Sequence, residues 1–437
     1  MEILKFDLSL EGKPFKVLNA TNGGPWSKRH ASDMVRSNFD TYKAARIPYS
    51  RNHDCAINSV YGGPYSHDVS CIFPNFDADP YDPASYDFAC TDESILICTD
   101  AGTETFFRLG QTIEHQIKKH HIFPPKDFHK WAVICEHIIR HYNEGWADGY
   151  QLGITYWEIW NEPDNDPEDS AYRRCWGGTY AQFYDFYETA AKHLKSCFPH
   201  LKIGGPAVAL RAGWLETFLT EMKKRNVEMD FVSWHLYTVD PRYVLSTAAG
   251  VKAVMDKCGY GNAESILNEW NYVKNWEDKF KYTISCIHGI KGAIFALSCM
   301  CDAQNCDAID MMMYYDTRPS SFNGVFDFYT YEPLKGYYPF YWYGMFYDMV
   351  REIPSENRIE DIHSLCGVGE DGKLLAVVAH YSDYDYYPSK TVSVDFGREG
   401  VYEVYLLDEE HDATLIGTTS DLTFEMKLQS ALLIKEV

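Results

Sequence analysis

Between residues 14 and 344, short apolar or β-branched runs alternate with longer amphipathic stretches, and few architectures accept that rhythm. Eight such runs recur, at 15–21, 46–53, 104–110, 155–162, 202–208, 231–237, 265–270 and 309–316. Runs of this kind separated by helix-length segments suit a parallel sheet, whose strands are joined by helices that cover them. Two of the intervening segments read clearly as helices. In 126–142, Phe128, Trp131, Ala132, Cys135, Ile138 and Ile139 recur at helical spacing, and 180–197 behaves likewise. Eight strand–helix pairs over about 330 residues fit an α/β fold of the (β/α)8 (TIM) barrel type, placed at residues 14–344. A chain of 437 residues exceeds what one core usually organises, so a second unit is expected. After Gly344 the texture changes to short alternating runs at 373–381, 390–396, 401–407 and 422–434, separated by Asp, Gly and Ser. That pattern predicts a C-terminal antiparallel β-sandwich over 345–437. Residues 1–13 are assigned to it as well, because their alternating strand 3–10 finds no edge on a closed barrel.

Composition narrows the function. Forty Lys and Arg against 63 Asp and Glu give a net charge of −23, which repels phosphate backbones and anionic surfaces, so nucleic acid and membrane are excluded as partners. No stretch reaches the roughly 18 to 20 apolar residues of a membrane span. Thirteen cysteines without framework spacing read as reduced thiols, and the first ten residues lack a basic and apolar leader, so the cytoplasm is the expected location. Aromatic residues make up 16% of the chain, more than a core needs, and suit the walls of a cleft for flat amphipathic ligands such as sugars.

Chemistry concentrates in two carboxylate settings. Tyr156-Trp157-Glu158-Ile159-Trp160-Asn161-Glu162-Pro163 is a strand pattern stopped by proline. Strand C-termini build the mouth of a barrel, which places Asn161 and Glu162 there. A straight strand would put Glu158 on the same face about 13 Å deeper, at ~3.3 Å per residue, where a buried carboxylate needs a partner. Ile266-Leu267-Asn268-Glu269-Trp270-Asn271 is the second apolar run ending in a carboxylate. Two facing glutamates are what glycosidic bond hydrolysis uses: one protonates the leaving oxygen, the other meets the oxocarbenium-like carbon. Their proximity separates their pKa values.

These residues resemble a known family. Trp160-Asn161-Glu162-Pro163 looks like the acid/base motif of the retaining (β/α)8 glycosidase clan, and Glu269 falls where that clan carries its nucleophile, on the seventh barrel strand. Glycoside hydrolase family 39, the β-xylosidase and α-L-iduronidase family, is the closer resemblance. It is carried by Ser50-Arg51-Asn52-His53-Asp54, Tyr86-Asp87-Phe88, Lys126-Asp127-Phe128-His129-Lys130-Trp131 and Phe231-Val232-Ser233-Trp234-His235-Leu236-Tyr237. The resemblance implies Glu162 as general acid/base, Glu269 as nucleophile and net retention of configuration. It further implies Asn161 on the sugar 2-hydroxyl, His53 on a hydroxyl of the −1 sugar, and His235 and Tyr237 beside the nucleophile. Trp270 and Tyr314 are expected to line the sugar, Tyr314 or Tyr315 standing where the clan usually has a tryptophan on its eighth strand. Arg51 either holds Glu269 ionised or partners Glu158. No cofactor is implied, and a homo-oligomer is compatible with the resemblance.

Other features read more plainly. Cys299, Cys301 and Cys306 lack zinc-site spacing and suit helix filler before the last barrel strand. Gly204-Gly205-Pro206 reads as a turn, and Asp164, Asn165 and Asp166 as a solvated loop. Leaving-group preference is expected to reside in loops 60–82 and 164–178. The function expected is exo-acting hydrolysis of short β-xylosides by double displacement. The same chemistry on a β-glucoside, β-galactoside, α-L-arabinoside or α-L-iduronide stays open, as does a non-catalytic carbohydrate-binding protein on a glycosidase scaffold.

Overall fold

The computed structural model describes residues 2–10, 12–26, 37–53, 66–320 and 322–437. After an N-terminal strand β1 (Glu2–Lys5), eight parallel strands close a barrel: β2 (Val17–Asn22), β3 (Tyr49–Arg51), β4 (Glu104–Leu109), β5 (Tyr156–Ile159), β6 (Lys202–Val208), β7 (Phe231–Thr238), β8 (Glu264–Tyr272) and β9 (Met311–Tyr314). All eight predicted runs become barrel strands; β3, β4, β5 and β9 are shorter than predicted, β2 is shifted, β6 keeps its bounds, and β7 and β8 run longer. Local chemistry sets the helix boundaries. The helix Phe128–Glu144 starts where the Asp127 side chain accepts from the Lys130 N–H at 3.0 Å, and stops at Gly145 with φ 75°. Tyr180–Cys197 opens on a reciprocal capping box between Thr179 and Gln182.

The barrel interior is layered by the period-two alternation of its strands. Ala20, Phe106, Tyr156, Phe231, Ile266, Met311 and Met313 form an apolar floor. One step further along the strands, Arg51, Glu158, Ser233 and Asn268 make a buried polar layer, and the two candidate catalytic glutamates stand above it.

The remaining strands, β10 (Met349–Glu352), β11 (Ile362–Gly369), β12 (Leu374–His380), β13 (Lys390–Asp395), β14 (Tyr402–Leu407), β15 (Thr414–Thr419), β16 (Thr423–Met426) and β17 (Ser430–Glu436), form two sheets. A six-stranded sheet runs β10-β11-β12-β17-β14-β15 and a three-stranded one β1-β13-β16. The sequence pattern misses β10, β11 and β15, whose exposed or mixed faces blur the alternation, and merges β16 with β17 across the turn at residues 427–429. The sandwich is also not wholly antiparallel, since β1 joins β13 in parallel register, Ile3 opposite Ser393.

One helix joins the two units. Ile290–Ala303 is buried on every side except at Asp302, and it packs on β11, β12 and β17 as well as on barrel helices. Strand β12 shows the consequence: Leu375, Val377 and Ala379 face the barrel core, while Leu374, Ala376 and Val378 face the sandwich core. Cys299 and Cys301 lie in this helix as filler. Polar contacts lock the junction, with Asp383 accepting from Tyr272 Oη at 2.7 Å and pairing with Lys274 and Lys291. No single helix among the described residues is long and apolar enough to cross a membrane.

Candidate active site

Arg51 is the hub of the polar layer. It is fully buried at the end of β3, and its Nε donates to Glu158 Oε2, Nη1 to Glu269 Oε1 and Nη2 to Asn161 Oδ1, each at 2.7 Å. The alternatives left open by the sequence are therefore both realised, because a planar guanidinium reaches three acceptors at once. Glu158 gains two further donors at 2.5 Å, Ser233 Oγ and Asn268 Nδ2, both on its Oε1. A buried carboxylate so saturated is a scaffold for Arg51.

Local backbone departures aim the two glutamates. β5 ends at Ile159, and positive φ at Trp160 (75°) and Glu162 (47°) turns the chain over the barrel mouth, so the straight-strand depth of 13 Å between Glu158 and Glu162 does not apply. In β8 the register against β7 shifts: Leu267 lies opposite Trp234, but Glu269 opposite His235, leaving Asn268 as the extra residue. Such a bulge reverses the alternation beyond it. Asn268 and Glu269 thus both serve the interior, and Trp270 is sent outward.

Glu162 and Glu269 are 6% and 3% exposed. His235 Nδ1 stands between them, 2.7 Å from Glu162 Oε1 and 3.4 Å from Glu269 Oε2, and one carboxylate oxygen of each lies within 4.8 Å of the other. Their partners differ in charge. Glu269 receives Arg51 and, at 2.8 Å, the Tyr237 hydroxyl; Glu162 receives the neutral Asn165 amide at 2.5 Å. Burial pushes the Glu162 carboxyl up to about 7, with Asn165 and the more distant Arg51 opposing. Burial also raises Glu269, and the Arg51 cation and the Tyr237 hydroxyl pull it back. Burial brings His235 down to about 4 and His53 well below the usual range, so both imidazoles are neutral at neutral pH. The more proton-retaining group is Glu162; the cation-held one is Glu269.

The structure brings together Arg51, His53, Glu158, Asn161, Glu162, His235, Tyr237 and Glu269. His53 Nε2 lies 3.9 Å from Glu269 Oε1, and buried Asn161 Nδ2 and His235 Nε2 have no hydrogen-bond partner among the described residues, which leaves them available to a ligand. Two expected sugar-lining residues are elsewhere. Trp270 is 1% exposed and packs against Tyr314 and Phe295 in the outer core, as the bulge requires. Tyr314 points outward too, its hydroxyl donating to Asn271 Oδ1 at 2.7 Å and its ring against Phe340. By alternation Tyr315 is the inward residue, with its ring centroid 6.2 Å from that of His53. Asp54 and the start of loop 60–82 lie outside the described residues.

The loop after Glu162 is not solvated as expected. Asp164 is fully buried, accepting from the N–H groups of Ala209 and Arg211 at 2.8 Å each, and Arg174 clasps Asp166. This bracing fixes Asn165 on Glu162. The sequence signal was there in three consecutive side-chain acceptors beside the motif, but their partners are 8 to 47 residues away. Among the described residues, two groups offer three metal-ligating atoms within 4.8 Å: Glu162, His235 and Glu269, and, on the outer helices, Glu136, His193 and Cys197. In each, an arginine already holds one carboxylate, Arg51 on Glu269 and Arg140 on Glu136. That added positive charge opposes a cation.

Known proteins share this fold. The solved structure of a glucosidase from Croceicoccus marinus superposes with a TM-score of 0.81 at 22% identity, covering 100% of this chain and 99% of that one. A monomeric β-xylosidase from Caulobacter crescentus CB15 gives 0.71 at 15% identity, with 100% and 99% covered. In sequence, a β-xylosidase from Caldicellulosiruptor saccharolyticus is 27% identical over 211 residues, 46% of this chain and 40% of that relative's length. The family model of glycosyl hydrolases family 39 matches residues 62–281, half of the chain and the stretch that carries both glutamates, and to that family this chain belongs.

Proposed function

We propose that the protein is a retaining, exo-acting β-glycosidase that releases xylose from short β-xylosides. The observation that carries the reading is the pair of buried glutamates with oxygens within 4.8 Å of each other, one held by an arginine and one by neutral donors. Retaining enzymes place their carboxyl groups about 5 to 5.5 Å apart and inverting ones about 6.5 to 9.5 Å, to admit a water. Depth supports exo action, since both carboxyls sit almost wholly out of solvent and a chain end reaches them more readily than a chain middle. Xylose is favoured by the names of the curated relatives in sequence.

In this reading protonated Glu162 gives its proton to the glycosidic oxygen as Glu269 attacks the anomeric carbon. The C–O bond breaks, the alcohol leaves, and a glycosyl ester forms on Glu269. Glu162, now ionised, takes a proton from water; the water attacks the same carbon and frees Glu269. Neutral His235 shares a proton position with Glu162 through both halves. Asn161 Nδ2 is placed to bond the 2-hydroxyl, a contact that strengthens as charge develops. A panel of nitrophenyl β-xyloside, β-glucoside, β-galactoside and α-L-arabinoside, with the first-formed anomer read by proton NMR, tests it. The expected result is greatest kcat/KM on the xyloside with β-xylose formed first; initial α-xylose would refute retention, and no turnover of the xyloside would refute the substrate.

A further inference from the structure

Beyond the catalytic pair stands an indole that nothing in the mechanism uses. Trp276 lies in the loop after β8, is 53% exposed, and meets Tyr237 edge to face with ring centroids 5.0 Å apart. Tyr237 is the residue whose hydroxyl holds Glu269 Oε2. Phe280 and Phe322 back the indole at 5.9 and 6.0 Å, and Phe280 and Phe322 touch each other at 5.1 Å. The ring is thus held by three aromatic neighbours at 5.0 to 6.0 Å and still leaves half of its surface to solvent. A half-exposed tryptophan costs solvation of apolar surface, and a rigid, backed ring at a pocket mouth offers a flat face for which a pyranose is a fitting partner.

Its side of the pocket follows from the two oxygens of Glu269. Oε1 faces Arg51 and His53, whereas Oε2 faces Tyr237 and His235, and His235 in turn holds Glu162. The leaving oxygen must lie within reach of Glu162. The wall continued by Tyr237 and Trp276 therefore borders the departing group, and the wall of His53 and Tyr315 the sugar that stays.

We propose that Trp276 is the stacking platform for the leaving sugar, making the protein selective for saccharide over small leaving groups. This rests on the glycosidase reading above. The test compares wild type, Trp276→Ala and Trp276→Phe on two substrates of the sugar the panel identifies: its β-1,4-linked disaccharide and its β-glycosyl fluoride, which carries no leaving sugar. Loss of one stacked ring corresponds to roughly tenfold. Trp276→Ala is expected to lose about tenfold in kcat/KM on the disaccharide and to stay within about twofold of wild type on the fluoride, with Trp276→Phe recovering most of the loss. An equal loss on both substrates would assign Trp276 to support of Tyr237 and overturn the platform. An unchanged disaccharide rate would overturn it as well. If wild type turns over the fluoride but the disaccharide variants behave alike, the platform alone fails; if wild type turns over neither, the glycosidase reading fails and the platform with it.

Discussion

At the scale of single residues, burial and charge set the two glutamates apart. Taking a carboxyl from water raises its pKa, and only a nearby cation or several donors reverse the effect. Glu162 lacks a cation in contact and sits near 7; Glu269 has Arg51 at 2.7 Å. The same displacement has a stability cost. Because the folded-state pKa of Glu162 lies above its ordinary value of 4.5, the native state holds its proton more tightly than the unfolded chain. Its favourable contribution is complete below about pH 4.5 and is lost as pH rises through about 7. Glu162→Gln is expected to unfold like wild type at pH 4 but to be more stable at pH 8, by up to about 3 kcal/mol, in thermal scans at both pH values. The same variant is expected to lose about 10²- to 10⁴-fold in kcat on xylosides with poor leaving groups. A loss below tenfold would remove Glu162 from the role of acid.

At the scale of elements, three barrel strands that are not neighbours, β3, β5 and β8, and one bulge build the site around Arg51. The guanidinium, buried in β3, ties β5 through Glu158 and β8 through Glu269. Removing one member of such a network strands the others, at about 3 to 5 kcal/mol. Arg51→Met is expected to lower stability by that order in denaturant titrations and to move the acid limb of the kcat/KM profile to higher pH, since the charge that pulls Glu269 down is gone. A stability loss below about 1 kcal/mol would show that Glu158 finds another partner. Legibility in the sequence divides along the same line. The eight strands, Glu162, Glu269 and the need of Glu158 for a partner could be read from local pattern, because proline stops, apolar runs and capping residues act within a few positions. Trp270 could not be placed, because a single extra residue at Asn268 reverses what faces inward on β8, and a bulge depends on the partner strand; the choice between Tyr314 and Tyr315 turned on the phase of β9, which its run of methionines and tyrosines does not mark. Trp276 carried no pattern at all; its meaning comes from Tyr237, 39 positions earlier and adjacent only in space.

At the scale of the molecule, the second unit is bound to the first by one helix buried except at Asp302 and by Asp383, which meets Tyr272 at the end of the strand that carries Glu269 and Lys274 in the loop after it. The aromatic excess noted in the sequence divides between the packed outer core, where Trp131, Trp160, Trp176 and Phe186 meet, and a small open set at the mouth that includes Trp276. Residues from distant strands thus reach one point, at which the proposed mechanism has Glu269 form and release a bond to sugar. Trapping that bond is the most direct test. Incubation with a 2-deoxy-2-fluoro β-xyloside bearing a good leaving group, followed by peptide mapping in a mass spectrometer, is expected to find one fluoroxylosyl label, on Glu269, with activity lost in step. A label on Glu162 or elsewhere, or rapid turnover to α-configured product with no label, would contradict the assignment.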